Sequence, residues 1–109
     1  MFGQTLWDFQ NSRFKLAECA SQTRAARTLI DSLILKMLQG EPVTMAESAM
    51  AKYLCTDIQC RVIDECLQLF GGYGYMAEYP IAQLYMDARI QRIYGGANEV
   101  MKELIARGL

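Results

Sequence analysis

The 109-residue chain contains no histidine. That absence removes Ser-His and Cys-His nucleophile systems, and every zinc set that mixes imidazole with thiolate. Four cysteines are present, Cys19, Cys55, Cys60 and Cys66, yet no two of them form a Cys-x-x-Cys pair. All four fall in helical patterns, so reduced thiols packed between helices are expected, and no metal site. Net charge is also scarce: 11 basic residues face 12 acidic ones, for a formal charge of -1. Without a basic stripe, nothing argues for nucleic acid as a ligand. No stretch approaches the roughly 18 continuous apolar residues that a membrane-spanning helix needs. The opening Met-Phe-Gly-Gln-Thr lacks the charged and apolar regions of a secretory leader. The expected location is therefore the cytoplasm, or the mitochondrial matrix in a eukaryote.

Apolar side chains are plentiful. Hydrophobic residues make up 52% of the chain and charged residues 21%, a globular composition that leans apolar. This length supports one domain at most. Such a chain can bury a modest core, but not a core and a deep private cofactor cavity together. The apolar excess predicts that a partner covers part of the surface.

The pattern is nearly all α. From Asn11 to Leu38, Leu16, Cys19, Ala20, Thr23, Ala26, Ile30, Leu33 and Met37 recur at helical spacing. Gly40 and Pro42 then stop the helix, the glycine as the residue after the C-cap. Thr44-Met-Ala-Glu47 reads as a capping box that opens a second helix. Behind it Met50, Leu54, Ile58, Val62, Cys66 and Leu69 form one stripe, ended by Gly71-Gly72. Two helices of roughly 25 residues, each near 40 Å long, joined by a short loop, predict an antiparallel hairpin within a bundle. Gly71-Gly72-Tyr73-Gly74-Tyr75 reads as a loop. Pro80 suits the first turn of a short helix that runs to about Arg89. Gly95-Gly96 break the chain again before a last helix over about Asn98 to Ala106.

No catalytic constellation emerges from the residues. Acidic residues such as Glu47 and Asp57 read as scattered helix-surface charges rather than an acid/base pair. The glycine clusters stand out. Gly71-Gly72-x-Gly74 follows a helix, not a strand, so the dinucleotide fingerprint of a Rossmann fold does not apply. It allows either a tight helix end or close backbone approach to a ligand. Gly95-Gly96 precede a helix, whose free amides and positive end suit an anion or a polar cofactor edge; a plain helix break is the alternative. Tyr73, Tyr75, Tyr79, Tyr85 and Tyr94 gather in the same third of the chain, and either a pocket or loop packing explains them.

The run Gln68-Leu-Phe-Gly-Gly-Tyr-Gly-Tyr-Met-Ala-Glu-Tyr-Pro80 is followed by Leu84-Tyr-Met-Asp-Ala-Arg-Ile-Gln-Arg-Ile-Tyr-Gly-Gly-Ala-Asn-Glu99 and Leu104-Ile-Ala-Arg107. Together they resemble the C-terminal signature of acyl-CoA dehydrogenases. Phe2-Gly-Gln and Phe9-Gln10 look like the phenylalanine-glycine segment and following glutamine of that family, so the resemblance covers essentially the whole chain. The long-chain type is most similar, because it shares Ile-Tyr-Gly-Gly-x-Asn-Glu.

The resemblance implies an all-α, antiparallel helical bundle over residues 1–109, with two long helices and shorter C-terminal ones. It implies the last domain of an FAD enzyme that removes hydrogen from the α,β carbons of an acyl-CoA. The partners implied are the acyl-CoA substrate, an electron-transfer acceptor and further copies of the subunit. By the same carry-over, Gln10, Gln68, Leu69, Phe70, Gly71 and Gly72 meet FAD across a subunit interface. Ala97, Asn98 and Glu99 meet the subunit's own FAD, and Gly95 and Gly96 lie against the thioester.

Two positions depart from the family pattern. Most members carry the catalytic glutamate directly after the tyrosine matched by Tyr94, where this chain has Gly95. Long-chain and isovaleryl-type members supply it from a helix upstream of the phenylalanine-glycine segment, at which this chain begins. No catalytic residue is therefore assigned, and the expectation is a domain truncated at its N-terminus and inactive alone. Ala97 replaces a usual threonine, which removes an N-cap hydroxyl worth about 1 kcal/mol. The competing reading is a non-catalytic helical self-association module that keeps the flavin motifs as architecture.

Overall fold

The computed structural model describes residues 3–109; Phe2 of the phenylalanine-glycine segment lies outside them. Among the described residues the elements are helical: α1 (Gln10–Leu38), α2 (Met45–Phe70), α3 (Pro80–Arg89) and α4 (Asn98–Arg107). Short 3₁₀ turns at Leu6–Asp8, Gly71–Tyr75 and Ile90–Arg92 join or extend them.

Local chemistry sets the helix ends. At the end of α1, Gly40 takes φ +76°, its N–H donates to Met37 O at 3.1 Å, and Glu41 N–H donates to Lys36 O at 2.9 Å. That pair of bonds is a Schellman motif, and glycine reaches its left-handed torsion without a steric cost. At the start of α2 the capping box forms: Glu47 N–H donates to Thr44 Oγ1 and Thr44 N–H donates to Glu47 Oε1, both at 3.1 Å. Lys36 Nζ reaches Glu47 Oε1 at 2.9 Å, so the box also ties the two helices together across the loop. Pro80 occupies the first turn of α3 as expected. The glycine-rich segment after α2 is not an open loop. It winds into the 3₁₀ turn Gly71–Tyr75, because Gly74 packs tightly onto the last turns of α2. A second 3₁₀ turn prolongs α3 to Arg92, beyond its expected end near Arg89.

Cross-helix pairs fix the direction of packing. Lys36 meets Glu47, Arg61 meets Gln22 and Lys15 meets Glu65, so α2 runs antiparallel to α1. On the other flank of α2, Cys60 Sγ lies 3.4 Å from Ala88 O, Asn98 meets Asp57, and Gly108 abuts Ala46. Residue numbers fall on α2 as they rise on α3 and α4. The two short helices therefore lie end to end along α2 and form a third rod. That rod is interrupted opposite the middle of α2, at Gly95–Gly96.

The core of this three-rod bundle is thin. Leu33, Ala49, Ile58, Ile63 and Ala88 are its buried apolar residues, and no described side chain is fully enclosed. Ala49 and Ala88 are small enough to let helix backbones approach closely. The accessible surface is 7903 Å², against roughly 6,100 Å² for a compact monomer of 12.4 kDa. The radius of gyration is 17.0 Å, against about 13 Å for a compact chain of this length. Large apolar side chains contribute to that surface. Trp7, Phe14, Leu35, Leu38, Met45 and Met86 are all exposed. Met37, expected on the inner stripe of α1, is exposed, as are Ala20 and Thr23. Periodicity marks an apolar face, but the hairpin covers only part of it. No helix among the described residues is long and apolar enough to cross a membrane.

Candidate functional site

The residues singled out from the sequence gather at two places, one at an end of the hairpin and one at the break in the third rod. Gln10 begins α1 and is exposed. The antiparallel register puts it level with the C-terminal end of α2, which carries Gln68, Leu69, Phe70, Gly71 and Gly72. Gln68, Phe70, Gly71 and Gly72 are exposed there and Leu69 is half-buried. Gly71 caps α2 at φ +62°, with its N–H donated to Gln68 O. A Cβ built on Gly71 or on Gly72 meets no atom within 4 Å, so both present bare backbone outward. Gly74 does the opposite. A Cβ there would stand 2.7 Å from Leu67 O, 3.0 Å from Leu67 Cγ and 3.1 Å from Phe70 Cβ. The first two glycines of the motif offer a surface, and the third holds it in place.

At the second place Gly95 and Gly96 turn the chain with φ +65° and +91°. Both are left-handed torsions that favour glycine. A Cβ on Gly95 would meet nothing within 4 Å, whereas one on Gly96 would touch Met101 Cε at 2.6 Å. Ala97 is the N-cap of α4 and makes no side-chain cap, as its missing hydroxyl requires. The first-turn amides of α4, those of Asn98 and Glu99, come too early in the helix to find an intrahelical carbonyl. Glu99 is exposed, and its charge suits the positive end of the helix.

Asn98 points inward. Its side chain is buried, and its carboxamide is fully engaged. Nδ2 donates to Asp57 Oδ1 at 2.8 Å and Thr56 Oγ1 at 2.9 Å, with Tyr53 O at 3.3 Å. Oδ1 accepts from Lys52 Nζ at 2.6 Å. Lys52 Nζ also donates to Gly96 O at 2.8 Å. On the far side of the glycine pair, Arg92 Nε stands 2.8 Å from Asp57 Oδ1. That N–H is buried without a well-aligned acceptor, so its attraction to Asp57 is coulombic rather than a directed bond. Of the residues expected to meet a ligand at this place, Gly95, Gly96, Ala97 and Glu99 face outward or lie at the surface. Asn98 is left only its backbone amide for that purpose.

Lys52, Thr56 and Arg92 went unnoticed in the sequence, and Asp57, read there as a scattered surface charge, is instead engaged by Asn98 and Arg92. Their signal was there. Thr56 and Asp57 follow Lys52 by about one turn of α2, and polar side chains brought together at that spacing want partners. Along α2, Lys52–Asp57 and Gln68 are roughly 16–24 Å apart at 1.5 Å rise per residue. The two places are therefore separate surfaces and not one pocket.

Two clefts open between α2 and α3. One, of about 380 Å³, is lined by Asp57, Asp64, Arg61, Arg89 and Arg92 among others. The other, of about 710 Å³, is apolar, with Tyr75, Tyr85, Met86, Ile90 and Ile93 in its wall. Gly74 lines the larger cleft, but none of Gln10, residues 68–72 or residues 95–99 lines either one. Of the tyrosines singled out from the sequence, only Tyr75 and Tyr85 share a cleft wall. Tyr73 and Tyr79 stack at a tilt with centroids 5.4 Å apart, while Tyr75 and Tyr94 are exposed.

The perturbed titratable groups are structural. The Lys36 ammonium, then the Thr44 amide, hold the Glu47 carboxyl below its ordinary range. Burial, and after it the neighbouring Cys66 thiol, pushes the Cys19 thiol up, and burial raises Cys55. All four cysteines are free thiols, and no cluster among the described residues could hold a metal.

A three-rod helical bundle with bare glycine backbone at one end and a clamped double-glycine break in its third rod defines a class of helical domain. The chain belongs to the acyl-CoA dehydrogenase family. The family's model of the acyl-CoA dehydrogenase C-terminal domain matches residues 1–109. The long-chain specific mitochondrial acyl-CoA dehydrogenase of Rattus norvegicus is 47% identical over 106 residues, which is 97% of this chain and 24% of the relative. The short-chain specific acyl-CoA dehydrogenase of Megasphaera elsdenii is 46% identical over 99 residues, 91% of this chain and 26% of the relative. The crystal structure of an acyl-CoA dehydrogenase from Geobacillus kaustophilus superposes with a TM-score of 0.94 at 42% identity, over 99% of this chain and 28% of that one. The chain thus spans about a quarter of the length of the relatives it matches.

Proposed function

We propose that this chain is the C-terminal helical domain of an FAD-dependent acyl-CoA dehydrogenase, and that it contributes the edges of a site whose other walls lie outside these 109 residues. The observation that carries this reading is the bare backbone at Gly71, Gly72 and Gly95, where an added Cβ would meet nothing. An open glycine face at a helix end suits close contact with a planar polar group.

Bound flavin supplies the hydride acceptor for α,β-dehydrogenation of an acyl-CoA thioester. Gln10 and Gln68 would offer carboxamides to it at the hairpin end, beside the Leu69–Gly72 backbone. Ala97 and the amides of Asn98 and Glu99 would meet it at the start of α4, where the helix end favours negative charge. Gly95 and Gly96 would lie along the thioester. Long-chain and short-chain relatives match at 47% and 46% identity, so this helical segment is common to both acyl specificities. An electron-transfer acceptor would reoxidise the enzyme, in the cytoplasm or the mitochondrial matrix.

The chain alone should neither retain FAD nor turn over acyl-CoA. Gly95→Glu, which restores a carboxylate at the usual base position, should not change that. The space there is open, but the left-handed torsion costs a non-glycine residue about 1–2 kcal/mol. The test is the visible spectrum of the purified chain and variant, followed on addition of an acyl-CoA. A flavin band that bleaches with substrate refutes the reading.

The surface excess of roughly 1,800 Å² over a compact monomer also favours association with further copies. Sedimentation of the purified chain should show species larger than a monomer. A strictly monomeric chain would count against both the self-association module and the cross-subunit roles of Gln10 and Gln68.

A further inference from the structure

We infer that Lys52 is the positioning residue of the Gly95–Gly96 turn, acting with Asn98 to fix the turn and the start of α4 against the middle of α2. Two adjacent glycines in left-handed torsions lose more conformational entropy on ordering than any other dipeptide. Nothing in their own side chains holds them. A Cβ on Gly95 would find no neighbour, and Gly96 faces only a methionine end. The turn is held from outside. Lys52 Nζ bridges Gly96 O at 2.8 Å and Asn98 Oδ1 at 2.6 Å, so one ammonium joins the carbonyl inside the turn to a side chain in the first turn of α4. Asn98 is buried and passes the constraint back to α2 through Asp57, Thr56 and Tyr53. Asp57 draws in Arg92, just upstream of the glycines. Both flanks of the break are therefore anchored to one face of one helix.

This explains how a turn with no packing of its own can present a defined edge. With Gly96 O fixed, the peptide plane between Gly96 and Ala97 is fixed, and with it the direction of the N–H groups that open α4. The link to function rests on the proposed thioester and flavin contacts of residues 95–99; the clamp itself does not.

The test separates the two. Hydrogen exchange is measured by mass spectrometry on the full chain, as wild type, Lys52→Met, Lys52→Arg and Asn98→Asp. Lys52→Met keeps the aliphatic stem and removes the charge. Amides in peptides covering residues 95–101 should exchange about tenfold faster in Lys52→Met, with peptides from the Lys36–Glu47 end unchanged and partial recovery in Lys52→Arg. Asn98→Asp keeps the acceptor for Lys52 but sets a carboxylate against Asp57, and should loosen the same peptides. Unchanged exchange at 95–101 in both Lys52→Met and Asn98→Asp overturns the clamp, as does a uniform increase over the whole chain. In the flavin-loaded enzyme containing this chain, Lys52→Met should lower kcat about tenfold at unchanged flavin content. Faster exchange with unaltered kcat would keep the clamp and refute its bearing on the reaction.

Discussion

Gly74→Ala is a one-carbon change with a large expected effect. The new Cβ would stand 2.7 Å from Leu67 O, 3.0 Å from Leu67 Cγ and 3.1 Å from Phe70 Cβ. Ordinary contact begins near 3.4 Å, so the closest pair must separate by about 0.7 Å. The crowded oxygen is backbone of α2 and cannot swing away as a side chain would. Either the 3₁₀ turn lifts off the helix or the last turn of α2 distorts. Overpacking of this kind costs typically 1–3 kcal/mol. At about 4–8 °C per kcal/mol for a domain of this size, a mid-range cost lowers the melting temperature by roughly 10 °C. Gly72→Ala is the control: its torsion is ordinary and its Cβ meets nothing, so its melting temperature should stay near wild type. Gly71→Ala should fall between them, with open space but a left-handed φ of +62°. Thermal unfolding followed by far-ultraviolet circular dichroism ranks the three variants. If Gly74→Ala melts with Gly72→Ala, the reasoning from close packing is wrong.

Two further expectations concern titration. Glu47 has a carboxyl pKa lowered by Lys36 and the Thr44 amide, so the ionised form stabilises the fold. That contribution is present above the ordinary value of 4.5 and is lost as the pH falls through the lowered folded value. The melting difference between wild type and Glu47→Gln should therefore be full at neutral pH and close as the solution is acidified below that value; a gap independent of pH would contradict it. Cys19 and Cys55 have raised thiol pKa values, chiefly through burial, so less thiolate is present at neutral pH. Alkylation mapped by mass spectrometry should label both more slowly than a cysteine in an unstructured peptide. Equal rates would show that the thiols are not shielded.

Much of the fold was legible because its boundaries are local chemistry. Thr44 with Glu47, Gly40 followed by Pro42, and Pro80 each specify a helix end within a few residues, and the capping and Schellman bonds form where those residues place them. What was not legible depends on long-range contact. Met37 fits the helical stripe of α1, yet it stays exposed among the described residues, since periodicity names an apolar face and not its occupant. Gly71–Tyr75 reads as a loop because glycines usually break structure, and only the proximity of Leu67 O turns it into a packed 3₁₀ turn. Among the candidate site residues, the exposed glycines stood out by their clustering in the sequence. The inward turn of Asn98 did not, because its partners Lys52 and Asp57 lie more than forty positions away.

The interruption of the third rod has one more consequence, for how freely position 95 can change. A side chain there would answer to the torsion of its own backbone and to no neighbour, while the rods on either side are secured independently by α2. The cost of a side chain at that position thus lies in its backbone torsion and not in the packing of the helices. A carboxylate placed at the break would therefore need no helix to repack around it.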